Sequence, residues 1–374
     1  MALKGIKVIE MAGLAPVPMC GRILRDFGAQ VIKIEKDVQG LIQDTLAYGK
    51  KTVHLNLKVP AAVQAVKDLC SRSDVLLDPY RPGVLERLTL GPKELHEVNP
   101  QLIIARLSGF GQTGPLALKA GHDINYLAQS GVLSVLGRSG QPPQPPVNLL
   151  ADFGGGSLMC AIGIMAALLE RNTSQRGQVV DCSMVEGSAY AYSFLWATRP
   201  HAGFMWPRPD SRGANLLDGG APFYRTYATK DGKFMAVGAL EPKFYCGLLS
   251  GLGLAEDKHD QWTGWPQLHQ IFEAKFLEKT QQEWTEIFDQ LDCCVSPVLS
   301  FEEAAQHPHS KARASFAQSG MPKPSPVLSH TPAQASPLTQ ESEDPYEATA
   351  QILREELNYS EEQIEEALRV KSKL

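Results

Sequence analysis

Residues 7–35 read KVIEMAGLAPVPMCGRILRDFGAQVIKIE, and this stretch decides the fold class. The segment 7–11 is a short apolar run typical of a buried strand, and 31–35 is a second one. Between them, two prolines predict a loop that enters a helix over 19–27, which Gly28 ends. The stretch therefore predicts a βαβ unit. Its first loop lacks the G-x-G-x-x-G pattern, which argues against a dinucleotide-binding fingerprint.

The same alternation continues towards the middle of the chain. Apolar runs that predict strands alternate with amphipathic runs that predict helices. This is the pattern of a mostly parallel sheet covered by helices on both faces. The predicted strands are 75–77, 102–107 and 179–182, and the predicted helices are 61–71, 92–98 and 185–198.

The pattern changes after about residue 200. Two alternating runs, 223–228 and 233–237, are joined through Lys-Asp-Gly, which predicts a hairpin and the start of a smaller α+β domain. The later segments predict, in order, helices over 242–252 and 283–291, a Pro/Ser-rich extended connection over 321–337, and a last helix over 361–370 that begins with a Ser360–Gln363 capping box.

Composition is that of an ordinary globular protein, with 43% hydrophobic and 21% charged residues. The balance of 36 Lys+Arg against 41 Asp+Glu does not indicate a nucleic-acid-binding protein. No apolar run reaches the roughly 20 residues that span a bilayer, so no membrane span is expected, and 157–169 predicts a buried core helix. The seven cysteines lack a C-x-x-C spacing and indicate reduced, intracellular thiols. His307 and His309 lack further ligands at useful spacing, so no metal site is predicted.

The chain ends in Ser372-Lys373-Leu374. This tripeptide is a peroxisomal address that an import receptor reads, although the same residues also fit a basic solvated tail. We expect a peroxisomal location with the import receptor as a partner. A second location in the mitochondrion is left open.

Two stretches carry candidate chemistry: GHDINY (121–126) and NLLADFGGG (148–156). They place His122 beside Asp123 at a predicted helix start, and Asp152 before a glycine run that opens an apolar helix. Two different proton acceptors facing one pocket are what inversion of a carbon stereocentre needs, because one base removes a proton and the conjugate acid of the other returns it on the opposite face. Each residue also has a plain interpretation, His122 as a hydrogen-bonded polar residue and both aspartates as helix caps.

With these motifs in place, the chain resembles the α-methylacyl-CoA racemases of the family III CoA-transferase fold. The resemblance covers nearly the whole chain and consists of several independent motifs in the same order. These are LKGIKVIEMAGLAPVP (3–18), DPYRPGVLERLTLGP (78–92), ARLSGFGQTGP (105–115), GHDINY, NLLADFGGG, RGANLLDGGAPFY (212–224) and VGALEPKFY (237–245).

The resemblance implies the roles of four residues. His122 and Asp152 are the two catalytic bases, and Asp123 and Glu241 orient or hydrogen-bond the histidine. In this family Glu241 comes from the small domain of the partner subunit, because the fold is a homodimer of interlocked rings. The implied large domain is discontinuous, over 1–200 and 318–374, with the small domain over 215–312 and connections at 201–214 and 313–317.

Coenzyme A carries phosphates and an adenine, which require cations and a groove. The candidate cations are Lys36, Lys58, Arg81 and Arg87 on the first-half βα connections. Lysine stands at 36 and asparagine at 56 where the related racemases carry arginine and aspartate, so the CoA groove departs from the family pattern more than the bases do. The other expected substrate contacts are Leu55, Asn56, Leu57, Gly121, Ile124, Asn125, Tyr126 and Asn148.

The expected activity is racemisation of 2-methylacyl-CoA thioesters, which are intermediates of branched fatty acid and bile acid metabolism. An enolate forms, and its charge on the thioester oxygen is stabilised by N–H groups of the helix that begins near Asp123. No cofactor is expected, since CoA is part of the substrate. Two alternatives stay open: a family III CoA transferase with Asp152 as nucleophile, and a catalytically inert protein that binds CoA thioesters.

Overall fold

The computed structural model describes residues 1–36, 45–200, 203–335 and 344–369. The terminal Ser372-Lys373-Leu374 lies outside the described residues, as does the end of the Pro/Ser-rich stretch. The described strands are β1 (Lys7–Met11), β2 (Gln30–Glu35), β3 (Lys51–His54), β4 (Val75–Asp78), β5 (Ile103–Ser108), β6 (Val179–Ser183), β7 (Tyr224–Ala228), β8 (Phe234–Gly238) and β9 (Val295–Pro297). The described helices are α1 (Pro16–Asp26), α2 (Pro60–Ser71), α3 (Val84–Arg87), α4 (Pro92–Val98), α5 (Asp123–Ser130), α6 (Met159–Ser174), α7 (Met184–Ala191), α8 (Phe194–Thr198), α9 (Pro242–Leu252), α10 (Trp265–Phe276), α11 (Gln281–Phe288), α12 (Phe301–Gln306), α13 (Pro308–Ala312), α14 (Pro345–Leu357) and α15 (Glu361–Leu368).

The described residues form two units. The first comprises the described parts of Met1–Ser130, Pro146–Ala191 and Phe316–Leu374, and the second comprises Gly131–Pro145 and Tyr192–Ser315. The sequence prediction places 131–145 in the large domain. In the structure this segment contacts the second unit, because the Arg212 guanidinium donates to the carbonyl of Ser134 (3.1 Å) and to that of Gln141. The domain limits implied by the family resemblance otherwise stay a prediction.

A parallel sheet forms the centre of the first unit. Within the described residues it has six strands in the order β3-β2-β1-β4-β5-β6, and each pairing is parallel. The predicted α/β class is therefore confirmed. Val8 of β1 lies opposite Val31 of β2 on one side and Val75 of β4 on the other. The strand order reverses between β1 and β4, and ligands of such sheets bind at this point, outside the carboxyl ends of the strands.

The β1–α1–β2 unit has the predicted order, but α1 begins at Pro16, three residues earlier than the sequence indicates. Proline is favourable in the first helical turn because its missing N–H has no helical partner there. Helix α1 covers a buried ion pair, in which the Lys50 ammonium lies 2.8 Å from the Glu10 carboxylate and both side chains are 0% exposed. The same ammonium donates to the Pro18 carbonyl of α1 (2.8 Å).

The C-terminal helices return to the first unit. Leu353 of α14 and Ile364 of α15 belong to the same apolar core as Ile9 of β1. The Thr349 hydroxyl accepts a hydrogen bond from the His54 N–H of the edge strand β3 (2.9 Å). The predicted capping box of the last helix is confirmed, with the Ser360 side chain accepting from the Gln363 backbone.

Helix α6 continues from a π-helical segment, Leu149–Leu158, so that 149–174 is one uninterrupted helix. By length and apolar composition alone, this helix could cross a membrane. One side, including Cys160 and Ile164, is buried in the first unit. The opposite side is exposed. The prediction that 157–169 is a buried core helix is therefore wrong for that side. The exposed side chains are Leu158 (51%), Ile162 (52%), Met165 (45%) and Leu169 (72%).

The second unit contains, in its described part, the antiparallel sheet β7-β8-β9. The predicted hairpin is confirmed, since Thr226 lies opposite Ala236. The core of the second unit is rich in aromatic side chains and includes the fully buried Trp284 and Phe272.

Several elements were not predicted from the sequence, among them the helices α3, α10, α12, α13 and α14. The short strands β3 and β9 have no distinct sequence pattern and form because they pair with longer neighbours. The helix predicted over 185–198 is divided into α7 and α8.

Candidate active site

His122 immediately precedes α5, at the carboxyl side of the parallel sheet. Its carbonyl accepts hydrogen bonds from the N–H groups of Asn125 (2.8 Å) and Tyr126 (3.2 Å), and its own N–H donates to Oδ1 of Asn125 (3.1 Å). The backbone of His122 is therefore held at the helix N-terminus while the residue as a whole is exposed. An accessible imidazole beside the N–H groups of a helix start is suited to proton transfer next to a developing anion.

The Asp123 carboxylate links the start of α5 to the start of the π-helical segment. Its Oδ2 accepts hydrogen bonds from the backbone N–H groups of Ala151 (2.7 Å) and Asp152 (2.9 Å), and the residue is only 3% exposed. Its Oδ1 is buried without a hydrogen-bond partner among the described residues. The family resemblance implies that Asp123 orients the histidine, whereas the hydrogen bonds that the structure shows for it hold the peptide of Asp152.

Asp152 lies inside the π-helical segment rather than before a helix. The helix begins at Leu149, so the expectation that it opens after the glycine run is wrong. Burial raises the pKa of the half-buried Asp152 carboxyl group; the hydrogen bond from Asn148 Nδ2 (3.1 Å) opposes this, and the Asp123 charge adds to it. The His122 charge also lowers the pKa of Asp152, as the smallest of these four effects.

The glycines that follow Asp152 allow two helices to pack closely. A Cβ atom on Gly155 would lie 2.5 Å from the backbone nitrogen of Ser188 in α7, and one on Gly187 would lie 1.9 Å from the Gly155 carbonyl. Neither position has room for a side chain. At Gly155 the backbone that approaches most closely belongs to Ser188 of α7.

Tyr126 fixes the loop that carries His122. Its hydroxyl donates to the Gly121 carbonyl, and its ring packs edge-on against Phe110 at 5.2 Å between centroids. Burial raises the pKa of Tyr126; the Asp152 charge adds to this and the Arg81 charge opposes it. Ile124 and Asn125 lie on the exposed side of α5.

A cavity of about 290 Å³ lies at the carboxyl ends of β1, β4 and β5. Arg81, Gly121 and Tyr126, which were predicted from the sequence, line it. Lys119 also lines it and was missed, because a single lysine in an irregular loop carries no sequence signal. The other lining residues are Gly13, Leu14, Pro16, Val17, Pro79, Tyr80, Leu107, Ser108, Gly109, Phe110, Ala117 and Met184.

A second cavity of about 200 Å³ lies at the ends of β1, β2 and β3. Among the predicted CoA contacts, Lys36, Leu55 and Leu57 line it together with Ala12, Ile34, Glu35 and Tyr80. Tyr80 lines both cavities. Six other predicted contacts line neither of them: Asn56, Lys58, Arg87, Ile124, Asn125 and Asn148. Asn56 accepts a hydrogen bond from the Lys58 N–H (3.1 Å), and Lys58 and Arg87 are exposed.

Glu241 lies in the second unit, directly before α9. It is exposed, and its carbonyl accepts hydrogen bonds from the N–H groups of Phe244 (2.9 Å) and Tyr245 (3.0 Å). Its role beside the histidine stays a prediction. In the described ranges, no group of three or more His, Cys, Asp or Glu side chains is arranged to hold a metal ion.

The sequence profile of CoA-transferase family III matches residues 3–346. The chain belongs to CoA-transferase family III. It is 53% identical over 371 residues to an α-methylacyl-CoA racemase of Mus musculus, which covers 97% of this chain and 95% of that protein. It is 51% identical over 373 residues to an α-methylacyl-CoA racemase of Homo sapiens, with the same two coverages.

A solved structure agrees with the family III fold. The crystal structure of a CAIB/BAIF family protein from Brucella suis matches with a TM-score of 0.78 at 23% identity, over 95% of this chain and 99% of that one. At this identity the likeness concerns the fold. The family resemblance derived from the sequence motifs is confirmed by the profile and the two racemases together.

Proposed function

We propose that this chain is an isomerase that interconverts the (2R) and (2S) forms of 2-methylacyl-CoA thioesters. The observation that carries the proposal is that the Asp123 carboxylate, next to His122, binds the backbone N–H groups of Ala151 and Asp152 and so joins the two segments that carry the candidate bases. The chain is 53% and 51% identical to two α-methylacyl-CoA racemases over 97% of its length, which supports the same reaction.

The reaction proceeds by proton transfer alone. One base takes the α-proton, and the electron pair of the broken C–H bond moves into an enolate whose charge rests on the thioester oxygen. The N–H groups at the start of α5 are suited to stabilise that charge. The protonated partner then returns a proton to the opposite face. His122 and Asp152 exchange roles with the substrate enantiomer, and no cofactor takes part because CoA belongs to the substrate.

The two cavities suit the CoA part of the substrate. Both lie at the carboxyl edge of the sheet, the larger one where the strand order reverses, and Tyr80 lines both. Lys36 lines the smaller cavity, and Arg81 and Lys119 line the larger one. These cations are suited to bind the phosphates of CoA, and the apolar walls are suited to the rest of the thioester.

We propose further that the protein is a homodimer. Exposed apolar side chains recur at helical spacing along the helix 149–174, at Leu158, Ile162, Met165 and Leu169. A continuous apolar stripe of this kind normally packs against another surface. A second copy of this chain is the proposed occupant, and its Glu241 is the proposed neighbour of His122. The location is proposed to be the peroxisome, through an import receptor for the terminal Ser-Lys-Leu, with branched fatty acids and bile acid intermediates as the source of substrate.

The decisive experiment is α-proton exchange in deuterated water, started from each enantiomer of a 2-methylacyl-CoA. The wild type is expected to racemise and to incorporate deuterium from either side. His122→Ala and Asp152→Ala are each expected to lose racemisation by a factor of about 100 or more, while still exchanging the α-proton of one enantiomer. His309→Ala and Asp210→Ala, at exposed positions, are the matched controls.

Near-normal racemisation by either site variant would refute the two-base assignment. A covalent adduct trapped on Asp152, with CoA exchange into free acids, would favour the transferase alternative. Binding of the thioester by wild type without any deuterium incorporation would favour the inert alternative.

A further inference from the structure

A buried ion pair that plays no part in the proposed proton transfer lies next to the turn whose residues Pro79, Tyr80 and Arg81 line the cavities. Asp78 ends β4 and is 0% exposed, and Arg106 of the neighbouring strand β5 is 5% exposed. The two residues lie opposite each other in the parallel register. Arg106 Nε donates to Asp78 Oδ2 (2.9 Å). A buried ion pair is weak evidence for stability, since desolvation offsets the Coulomb attraction, so its position in the fold requires another explanation.

The same guanidinium also binds Glu86 of α3. Arg106 Nη1 donates to Oε1 (2.7 Å) and Nη2 donates to Oε2 (3.4 Å). Asp78 and Glu86 stand at the two ends of the segment 79–85, which leaves the sheet and enters α3. Arg106 therefore joins both ends of this turn through three N–H groups, a geometry that the planar guanidinium permits and a lysine ammonium does not.

The turn that Arg106 holds is the wall between the two cavities. Its residue Tyr80 lines both cavities and donates its backbone N–H to Asp78 Oδ1 (2.8 Å). Pro79 and Arg81 line the larger cavity. Pro79 also supports the β1–α1 loop, because a Cβ on Gly13 would lie 2.5 Å from the Pro79 Cβ. Displacement of the turn would therefore move side chains of both cavities at once.

We infer that Arg106 is a positioning residue for the acyl-CoA, which fixes Tyr80 and Arg81 between the two cavities by joining Asp78 to Glu86. This inference rests on the proposed function, since it assumes that the cavities hold CoA. Burial raises the pKa of Asp78 to about 6, against the opposing effects of the Tyr80 N–H and the Arg106 charge. Without the guanidinium, two acidic groups would remain beside a groove that has to accept phosphates.

The test compares Arg106→Lys with Arg171→Lys. Arg171 is a matched control, because its Nη2 binds Asp74 Oδ1 (2.7 Å) just before β4, at the opposite end of the same strand. Arg106→Lys is expected to raise KM for the acyl-CoA about 10-fold and to weaken binding of CoA itself by a similar factor, since charged hydrogen bonds are lost. The value of kcat is expected to change less than about threefold. Arg171→Lys is expected to change neither KM nor CoA affinity.

Glu86→Gln provides a second variant that leaves the pair of Arg106 and Asp78 in place. It is expected to raise KM about threefold, because one end of the turn loses its charged anchor. Calorimetric titration with CoA alone separates the inference from the proposed function. Weaker CoA binding by both variants supports the positioning role even if the wild type does not racemise. Unchanged CoA affinity in both variants, or a fall in kcat without a rise in KM, would overturn it.

Discussion

The hydrogen bond from Asn148 to Asp152 offers a direct test of the carboxyl base. Asn148 Nδ2 lies 3.1 Å from Asp152 Oδ2 and opposes the effect of burial, which raises the pKa of this carboxyl group. Asn148 precedes the π-helical segment but makes no side-chain capping bond, so Asn148→Ala removes this interaction without removing a cap. The ionised form of Asp152 then loses a donor, and its pKa is expected to rise further.

The size of the effect follows from one hydrogen bond. A net contribution of about 1 kcal/mol corresponds to roughly 0.7 pH unit, at about 1.36 kcal/mol per unit. Asp152 acts as a base only above its pKa, so the acid limb of the kcat/KM profile is expected to move to higher pH by about that amount. The alkaline limb, which we assign to loss of the proton shared by the two bases, is expected to stay in place.

The assay is racemisation of a 2-methylacyl-CoA followed across pH for wild type, Asn148→Ala and Asn148→Asp. The aspartate adds a like charge beside Asp152, so its acid limb is expected to lie at higher pH than that of the alanine variant. Asn172→Ala, at the exposed end of α6, is the matched control and is expected to leave the profile unchanged. An acid limb that stays in place, or moves to lower pH in Asn148→Ala, would show that Asp152 does not set it.

Two further predictions concern the packing that supports the site. Gly187→Ala places a Cβ 1.9 Å from the Gly155 carbonyl oxygen and is expected to lower the free energy of unfolding by about 2 kcal/mol in urea titrations. The control Gly238→Ala, whose Cβ would lie 3.8 Å from its nearest neighbour, is expected to have little effect. Equal losses in the two variants would contradict the packing argument. Lys50→Met removes the ammonium that pairs with the buried Glu10 and is expected to lower the free energy of unfolding by about 3–5 kcal/mol. The double variant Glu10→Leu/Lys50→Met is expected to recover part of this loss, and a single-variant loss below about 1 kcal/mol would argue against the buried pair.

Local sequence patterns were enough to predict most elements of the sheet and several helices. The run 7–11 became β1, 242–252 became α9 with the predicted limits, and the Ser360–Gln363 box begins α15. These features depend on side chains within about four residues of one another, which is the range over which capping and amphipathic spacing act. The short strand β9 was missed because a three-residue strand depends on pairing with β8 rather than on its own residues.

The candidate bases could be located in the sequence, but their surroundings could not. His122 and Asp152 belong to short motifs that can be recognised in the sequence, GHDINY and NLLADFGGG. Nothing local indicates that the Asp123 carboxylate binds the peptide of Asp152, or that Arg106 joins Asp78 to Glu86. These contacts link residues 20–29 positions apart. Only strand register and helix packing bring such groups together. Long-range packing therefore sets how the site is held, whereas local sequence patterns specify the βαβ order and the residue types available for proton transfer.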